Sequence, residues 1–380
     1  MIEPTIQEKN HSIKVINHIK QKINDAGGNI SFADFMHEAL YAPNIGYYNN
    51  KICQKFGKSG DFVTAPMLGE LFAICVASQC SDILQHLNNH NILELGAGDG
   101  QLAYQLIKYL SLRSCKKINN IKLNNYFILE PSTELQIRQK KMLLNSNLNT
   151  DYRNKISWIT SVPENFTGII LANEVLDAIP VNLFKIKNQQ IFEILVTLKN
   201  NDFDFIEMQA SKHIFNKISK LPINKTNYIN NNTYSSEICL LIPNLIKSLS
   251  TNLKNGAILL FDYGFLDHEY YHHDRNCGTL MCHYKHHSHT NPFFLPGLQD
   301  ITAHVDFSMI MQCATNNKLR VNTFSSLANF LINNNLQKEF TKKIKILNQL
   351  EKYRIHQEIN TLLSPSEMGE IFKVLLLETV

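Results

Sequence analysis

The sequence predicts an α/β fold built on an open parallel sheet. Short apolar runs alternate with segments whose apolar residues recur at helical spacing, the pattern of strand–helix–strand units. One junction is sharper than the rest. Asn91–Leu95 is strand-like, Gly96-Ala97-Gly98-Asp99-Gly100 breaks it, and Gln101–Leu110 resumes at helical spacing. Polar or acidic residues also stand just past the carboxyl ends of the predicted strands, the edge where an open parallel sheet binds ligands.

From the amino terminus, Val15, Ile16, Ile19 and Ile23 give Ser12–Ala26 a helical period, and Gly27-Gly28 stop it. Ser31 caps a second helix, with Asp34 at its third position, running to Leu40. Pro43, Gly46 and Gly60 mark an irregular segment that ends in Gly60-Asp61-Phe62-Val63-Thr64-Ala65-Pro66. Leu68–Leu87 reads as one long helix covering a sheet. Strands follow at Asn91–Leu95, Tyr126–Leu129 (ending on Glu130), Ile156–Ile159, Thr167–Ala172 (ending on Asn173 and Glu174) and Ala257–Phe261 (ending on Asp262, Tyr263 and Gly264). Asn182–Asn232 alternates apolar and polar residues and reads as an antiparallel insertion. Leu266–Gln299 is polar, His-rich and weakly periodic, a long loop of the kind that is functional or ordered by packing. The last third returns to pattern, with a helix from about Asp306, a strand near Leu319–Val321, a helix near Phe324–Ile332 and a strand at Lys373–Leu377. Without a Pro-, Gly- or Ser-rich linker, insertions into one core are expected. The division is a helical segment 1–88 and a core 89–380 interrupted at 182–235 and 265–300.

Composition narrows the class. The chain has 380 residues, 44% of them hydrophobic and 18% charged, enough apolar material for a large core and too little charge for a disordered chain. Apolar runs fall short of the roughly 20 residues of a membrane helix, and a heptad or collagen period is missing, so neither membrane insertion nor a fibre is expected. Lys and Arg number 37 against 33 Asp and Glu, a net charge of +4 without a basic stripe interleaved with aromatics. Nucleic acid is therefore not an expected partner. The eight cysteines follow no signal peptide, which points to a reducing compartment and free thiols. That compartment is the cytoplasm for a bacterial chain and the mitochondrial matrix for a processed eukaryotic one.

The glycine-rich turn has the G-x-G form but lacks the further Gly or Ala of a pyrophosphate-binding fingerprint, where Gln101 stands instead. Glu94 and Asp99 flank it. They repel a pyrophosphate and suit a ligand carrying an ammonium and a sulfonium, which favours S-adenosylmethionine over NAD. Glu130 ends the next strand where a carboxylate can accept both ribose hydroxyls, or it caps the following turn.

The ordered motifs extend further: Ser31-Phe32-Ala33-Asp34-Phe35-Met36, Tyr41-Ala42-Pro43 with Gly46-Tyr47-Tyr48, the Gly60–Pro66 run, Leu93–Gly100, Asn173–Pro180, Asp262-Tyr263-Gly264, Arg275-x-x-Gly278-Thr279-Leu280, His283-Tyr284, Pro296–Phe307 and Met368-Gly369-x-x-Phe372-Lys373-Val374. Over nearly the whole chain this set resembles the MidA family of class I methyltransferases, whose mitochondrial members are complex I assembly factors and protein arginine methyltransferases. The resemblance implies a Rossmann-like, mostly parallel seven-stranded core using S-adenosylmethionine. It also implies a target arginine in a protein, such as a respiratory complex I subunit.

On that reading Gly96, Gly98, Asp99 and Glu94 hold the amino-acid part of the donor and Glu130 its ribose. Gly60, Asp61 and Thr64 close over it. Asn173, Glu174 and Asp177 face the methyl group. An arginine guanidinium stays charged and needs carboxylates to bind its donor fork, a role for Glu174 first and Asp177 second. Asp177 could equally cap the next helix. Asp262 and Tyr263 bind substrate or hold their own turn, and Arg275, His283 and Tyr284 belong to a substrate-side loop. Cys277 and Cys282 lack the paired spacing of a zinc site, so no metal is expected. Two other readings compete, a NAD-binding oxidoreductase and a catalytically idle assembly factor. The 182–235 insertion offers a surface for a partner or for a second copy in a homodimer.

Overall fold

Thr5 starts the first helix, α1 (Ile6–Asp25). Its hydroxyl accepts the Glu8 N–H and the Glu8 carboxylate accepts the Thr5 N–H, a reciprocal cap. The helix therefore begins a turn and a half earlier than its apolar period shows. The computed structural model describes residues 3–52, 55, 57, 60–61, 63–115, 122–223 and 233–380. Phe62 of the Gly60–Pro66 run, Cys53 and residues 224–232 of the antiparallel insertion lie outside them.

After α1 come β1 (Asn29–Ser31) and α2 (Phe32–Tyr41), capped by Ser31 on the Asp34 N–H. Next are α3 (Ala65–Leu68), α4 (Leu71–Leu84), β2 (Asn91–Leu95), α5 (Gln101–Cys115), β3 (Asn125–Leu129), α6 (Thr133–Leu144), α7 (Thr150–Arg153), β4 (Ile156–Ile159) and β5 (Phe166–Asn173). The middle of the chain forms β6 (Asn182–Lys187), β7 (Gln190–Lys199), β8 (Asp202–Gln209), α8 (Lys212–Ile218), β9 (Thr233–Ile238), α9 (Ile242–Asn252) and β10 (Leu253–Phe265). The last part holds α10 (Asp267–Tyr270), β11 (Met281–Tyr284), β12 (His287–His289), β13 (Asp300–Thr302), β14 (Val305–Asp306), α11 (Phe307–Asn316), β15 (Leu319–Ser326), α12 (Leu327–Asn333), α13 (Leu336–Ile344), α14 (Gln349–Leu363) and β16 (Phe372–Thr379). None of the described helices is long and apolar enough to cross a membrane.

The chain forms two compact units. The first comprises Met1–Phe62, Leu176–Asn244 and Phe265–Ile310; the second comprises Val63–Val175, Leu245–Gly264 and Met311–Val380.

The second unit carries the parallel sheet, in the order β15, β16, β10, β5, β2, β3, β4. The pairs from β10 to β4 are parallel, whereas β16 runs antiparallel to both β10 and β15. This path of seven strands with one reversed strand is a class I methyltransferase sheet, and its core joins Ile92, Ile128, Leu171 and Leu259 to Phe72, Leu106 and Phe330. From β2 the chain steps outward to β3 and β4, then returns to the other side of β2 as β5. The order therefore reverses between β2 and β5, the switch point at which such sheets open a crevice for ligands.

Here the expected helix Leu68–Leu87 is two helices. A Cβ on Gly69 would lie 2.0 Å from a Glu358 oxygen, and Glu358 accepts the Leu71 N–H at 2.6 Å. A buried carboxylate from α14 thus caps α4, which no local reading could supply. The same residue hid α14, whose buried positions are Ile355, Glu358 and Leu362, so an acid interrupts the apolar period.

The first unit carries the antiparallel sheet β1-β7-β6-β9 with β8 on β7, its core built from Phe184, Ile186, Ile191, Tyr234 and Tyr270. β1 was not foreseen and pairs Ile30 with Val196. The predicted loop Leu266–Gln299 contains α10 and the β11–β12 hairpin, to which β13 adds a third strand. Its two-residue turn is Lys285-His286 at φ 47° and 63°, the twist that two-residue hairpins favour. Histidines at positions 283, 287 and 289 diluted the apolar alternation that marks a strand.

Candidate active site

The two turns at the switch point meet closely in the second unit. β2 and β5 run side by side to Leu95 and Ala172, so the glycine-rich turn and the Asn173-Glu174-Val175 turn leave the sheet together. Gly96 has φ 59°, and a Cβ there would lie 3.0 Å from a Val175 methyl carbon. Gly98, at φ 55°, continues in the left-handed region that L side chains rarely adopt. Asp99 then accepts the Gln101 N–H at 3.0 Å and starts α5. Burial pushes the Asp99 carboxyl up, against its backbone hydrogen bonds and the nearby Arg138.

Glu130 follows β3 and is buried. One carboxylate oxygen accepts the Ser132 N–H at 2.9 Å and the other accepts the Gln139 amide at 3.0 Å. Each oxygen keeps a lone pair for a further donor. Burial raises its pKa to about 7, and these two hydrogen bonds oppose the rise. Glu94, on β2, accepts the Tyr126 hydroxyl at 2.7 Å, and burial with the neighbouring Asp99 and Glu130 raises it to about 7. Sequence reasoning missed Gln139, Tyr126 and Trp158, because a helical glutamine and two strand aromatics give no local signal.

Glu174 sits at φ 52°, an uncommon backbone state for a glutamate and one that concentrates at functional sites. Its N–H extends the ladder to the Phe261 carbonyl at 2.9 Å, and the next N–H, of Val175, donates to Asp262 at 3.2 Å. Asp262 is fully buried and also accepts the Tyr263 N–H at 2.9 Å. Asp262 therefore holds both turns. The Glu174 carboxyl accepts Asn173 Nδ2 at 3.0 Å and the Tyr263 hydroxyl at 3.1 Å. Burial and the charge of Asp262 raise it to about 8, against Asn173, Tyr263 and the Ala65 N–H. Asn173 Oδ1 is buried without a hydrogen-bond partner in the structure. Thr64 precedes α3, and its hydroxyl makes no cap bond to that helix.

The remaining candidates belong to the first unit. Asp61, beside Gly60, accepts the Tyr47 hydroxyl at 2.7 Å and the Lys285 N–H at 2.6 Å, which ties its segment to the β11–β12 turn. Asp177 is buried, and its backbone carbonyl accepts the Ala303 N–H at 3.0 Å. Arg275 lies 4.2 Å over the Phe265 ring. Burial lowers the His283 pKa, and Tyr284 is buried against Phe294. The Arg275-x-x-Gly278-Thr279 motif wraps a carboxylate that the sequence did not single out. Glu237 accepts the Thr279 N–H and hydroxyl at 2.9 and 2.6 Å and the Tyr270 hydroxyl at 2.8 Å. A Cβ on Gly278 would come within 2.1 Å of it.

These buried acids set a pH dependence. Glu94, Glu130, Asp300 and Glu358 are raised to about 7 and Glu174 to about 8. A carboxyl raised in the folded state stabilises the fold when protonated and loses that contribution as pH rises through the folded value. His283, His289 and His304 are lowered and act in the opposite sense, below their ordinary value of 6.5. The melting temperature of the donor-free protein should therefore fall from pH 6.5 to 8. A rising midpoint over that window would show the acids to be solvated.

Comparison with known proteins agrees with this geometry. A family model described as "Putative S-adenosyl-L-methionine-dependent methyltransferase" matches residues 75–325. A crystal structure from Burkholderia thailandensis bound to S-adenosyl-homocysteine superposes with a TM-score of 0.89 at 31% identity, covering 100% of this chain and 95% of that one. The chain belongs to the MidA family of S-adenosylmethionine-dependent methyltransferases. Curated relatives include the Danio rerio mitochondrial protein arginine methyltransferase NDUFAF7, 26% identical over 94% of this chain and 85% of its own. The Caenorhabditis elegans homologue is 28% identical over 77% of this chain and 71% of its own.

As a MidA-family member the chain uses S-adenosylmethionine as methyl donor. Its own site fits that group. The orphaned Asn173 Oδ1 offers an acceptor to an ammonium, and Glu130 offers two half-satisfied oxygens to a ribose diol. Asp99 and Glu130 lie close enough to Glu94 to raise its carboxyl, and such a cluster of acids suits a charged donor better than its neutral product.

Proposed function

We propose that the chain methylates an arginine side chain of a protein substrate, with Glu174 receiving the guanidinium. One observation carries this reading. A half-buried carboxyl, raised to about 8, is held in a left-handed backbone at the switch point beside the donor turn. With that value the carboxyl is largely protonated at neutral pH. An incoming guanidinium stays charged and would draw it into the carboxylate form.

Asn173 and Tyr263 would aim one carboxylate oxygen each, so that the fork binds in one orientation and an Nη lone pair is directed at the donor methyl. Bound S-adenosylmethionine supplies an electrophilic methyl on a sulfonium. As the new C–N bond forms and the C–S bond breaks, the attacking nitrogen loses a proton, and Glu174 is the group placed to accept it. Glu130 would accept the ribose hydroxyls. Glu94, Gly96, Gly98, Asp99 and Asn173 would surround the amino-acid part, and Thr64 of the same unit would cover it. Asp262 acts here by holding the Glu174 turn.

The names of the curated relatives support the arginine target, and a respiratory complex I subunit is the substrate class we propose first. A reducing compartment suits the free thiols of Cys75, Cys80, Cys239, Cys277, Cys282 and Cys313. The test is incubation of the chain with methyl-labelled donor and a mitochondrial or bacterial protein extract, followed by mass spectrometric placement of the label. Label on arginine nitrogens is expected. Label confined to lysine, carboxyl or nucleic-acid sites would overturn the arginine assignment.

A further inference from the structure

We infer that Gln139 and Trp158 form a relay that aims the Glu130 carboxylate at the donor ribose. The inference rests on the reading of Glu130 given above. Gln139, on α6, is fully buried and makes three hydrogen bonds. Its amide nitrogen donates to the Gly98 carbonyl at 3.0 Å and to Glu130 Oε2 at 3.0 Å. Its amide oxygen accepts the Trp158 indole N–H at 2.9 Å.

An indole nitrogen can only donate, so it fixes which end of the amide faces it. Both amide hydrogens are then turned toward two acceptors, the turn carbonyl and the carboxylate. Gln139 thereby sets the spacing between the two parts of the site that would grip opposite ends of the donor. Trp158 reaches this position from β4, whose Trp158 pairs with Ile128 of β3, two residues before Glu130. Without the indole N–H, the buried amide oxygen loses its donor, and the side chain relaxes away from the carboxylate and the carbonyl to regain one. Gln139 and Trp158 are positioning residues on this account, since neither needs to touch the donor.

The test is calorimetry of the full chain with S-adenosyl-homocysteine and with its 2′-deoxyribose analogue. The wild-type chain should bind the deoxy analogue about tenfold more weakly, the loss expected for a hydrogen bond to a charged group. In Gln139→Leu and in Trp158→Phe, S-adenosyl-homocysteine should lose about tenfold in affinity and the two ligands should converge to within about twofold. Trp158→Phe keeps an aromatic ring on β4 and preserves the test if Gln139→Leu does not fold. General loosening of the site would weaken both ligands by the same factor. An unchanged ratio in the folded variants would therefore overturn the relay. Glu130→Gln separates the two levels of the argument. If it too leaves the wild-type ratio intact, the ribose reading of Glu130 fails. If it abolishes the ratio while the relay variants do not, only the relay fails. Trp158 is the sole tryptophan in the chain, so its emission should also shift in Gln139→Leu, where its hydrogen-bond acceptor is gone.

Discussion

Glu174→Gln should lower the methyl-transfer rate at saturating donor by about 10²- to 10⁴-fold, the range for loss of a positioned proton acceptor. The amide is nearly isosteric, but it removes the negative charge that would hold the guanidinium and accept its proton. It can keep the hydrogen bond from Tyr263 or that from Asn173 on its one oxygen, so a folded variant is expected. Single-turnover assay with labelled donor reads the effect, and calorimetry with S-adenosyl-homocysteine checks that the donor site survives. Undiminished transfer would remove Glu174 from the chemistry. The pH profile gives a second reading of the same group. Its folded value is about 8, so its carboxylate form is scarce below that pH in the free protein. Accordingly kcat/KM should rise with pH and level off above about 8, and Glu174→Gln should flatten that limb. A wild-type profile falling over the same range would contradict the assignment.

Gly98→Val should weaken S-adenosylmethionine binding on the order of a hundredfold, because a left-handed residue costs about 1–3 kcal/mol and valine suffers most there. Gly98 holds φ 55° and its carbonyl accepts Gln139. A branched side chain would push the turn into another backbone state, and both the donor cradle and the link to Glu130 would shift with it. The parallel sheet should survive, since the turn lies beyond the end of β2. Calorimetry of the folded variant reads the result. Affinity equal to wild type would place the donor elsewhere.

Much of this site was legible before any coordinates. Glycines at 96, 98 and 100 after an apolar run can hardly be other than a strand–turn–helix junction, and the acids that end the next strands follow from the same chain direction. The strands Ile156–Ile159 and Asn91–Leu95 match the structure residue for residue, because short apolar runs bounded by polar residues carry their own signal. The joining residues were not legible. Gln139 sits mid-helix, Trp158 sits in a short strand, and Glu358 interrupts an apolar period, yet each satisfies a buried group 19 or more positions away, as in the 19-residue step from Gln139 to Trp158.

The sequence by itself determined the α/β alternation, the glycine turn and the row of acids at the strand ends. These depend on local backbone preference and on the period of apolar residues, which neighbouring residues fix. Only the tertiary structure decided which acids act together. It paired β2 with β5, so that Gly96 meets Val175, and it set the half-buried Glu174 beside Asp262. It also set Asp177 in a different unit from Glu174, three residues away in the chain. Burial and charge proximity arise from strands distant in sequence, and those two quantities govern how a carboxyl titrates and what it can bind.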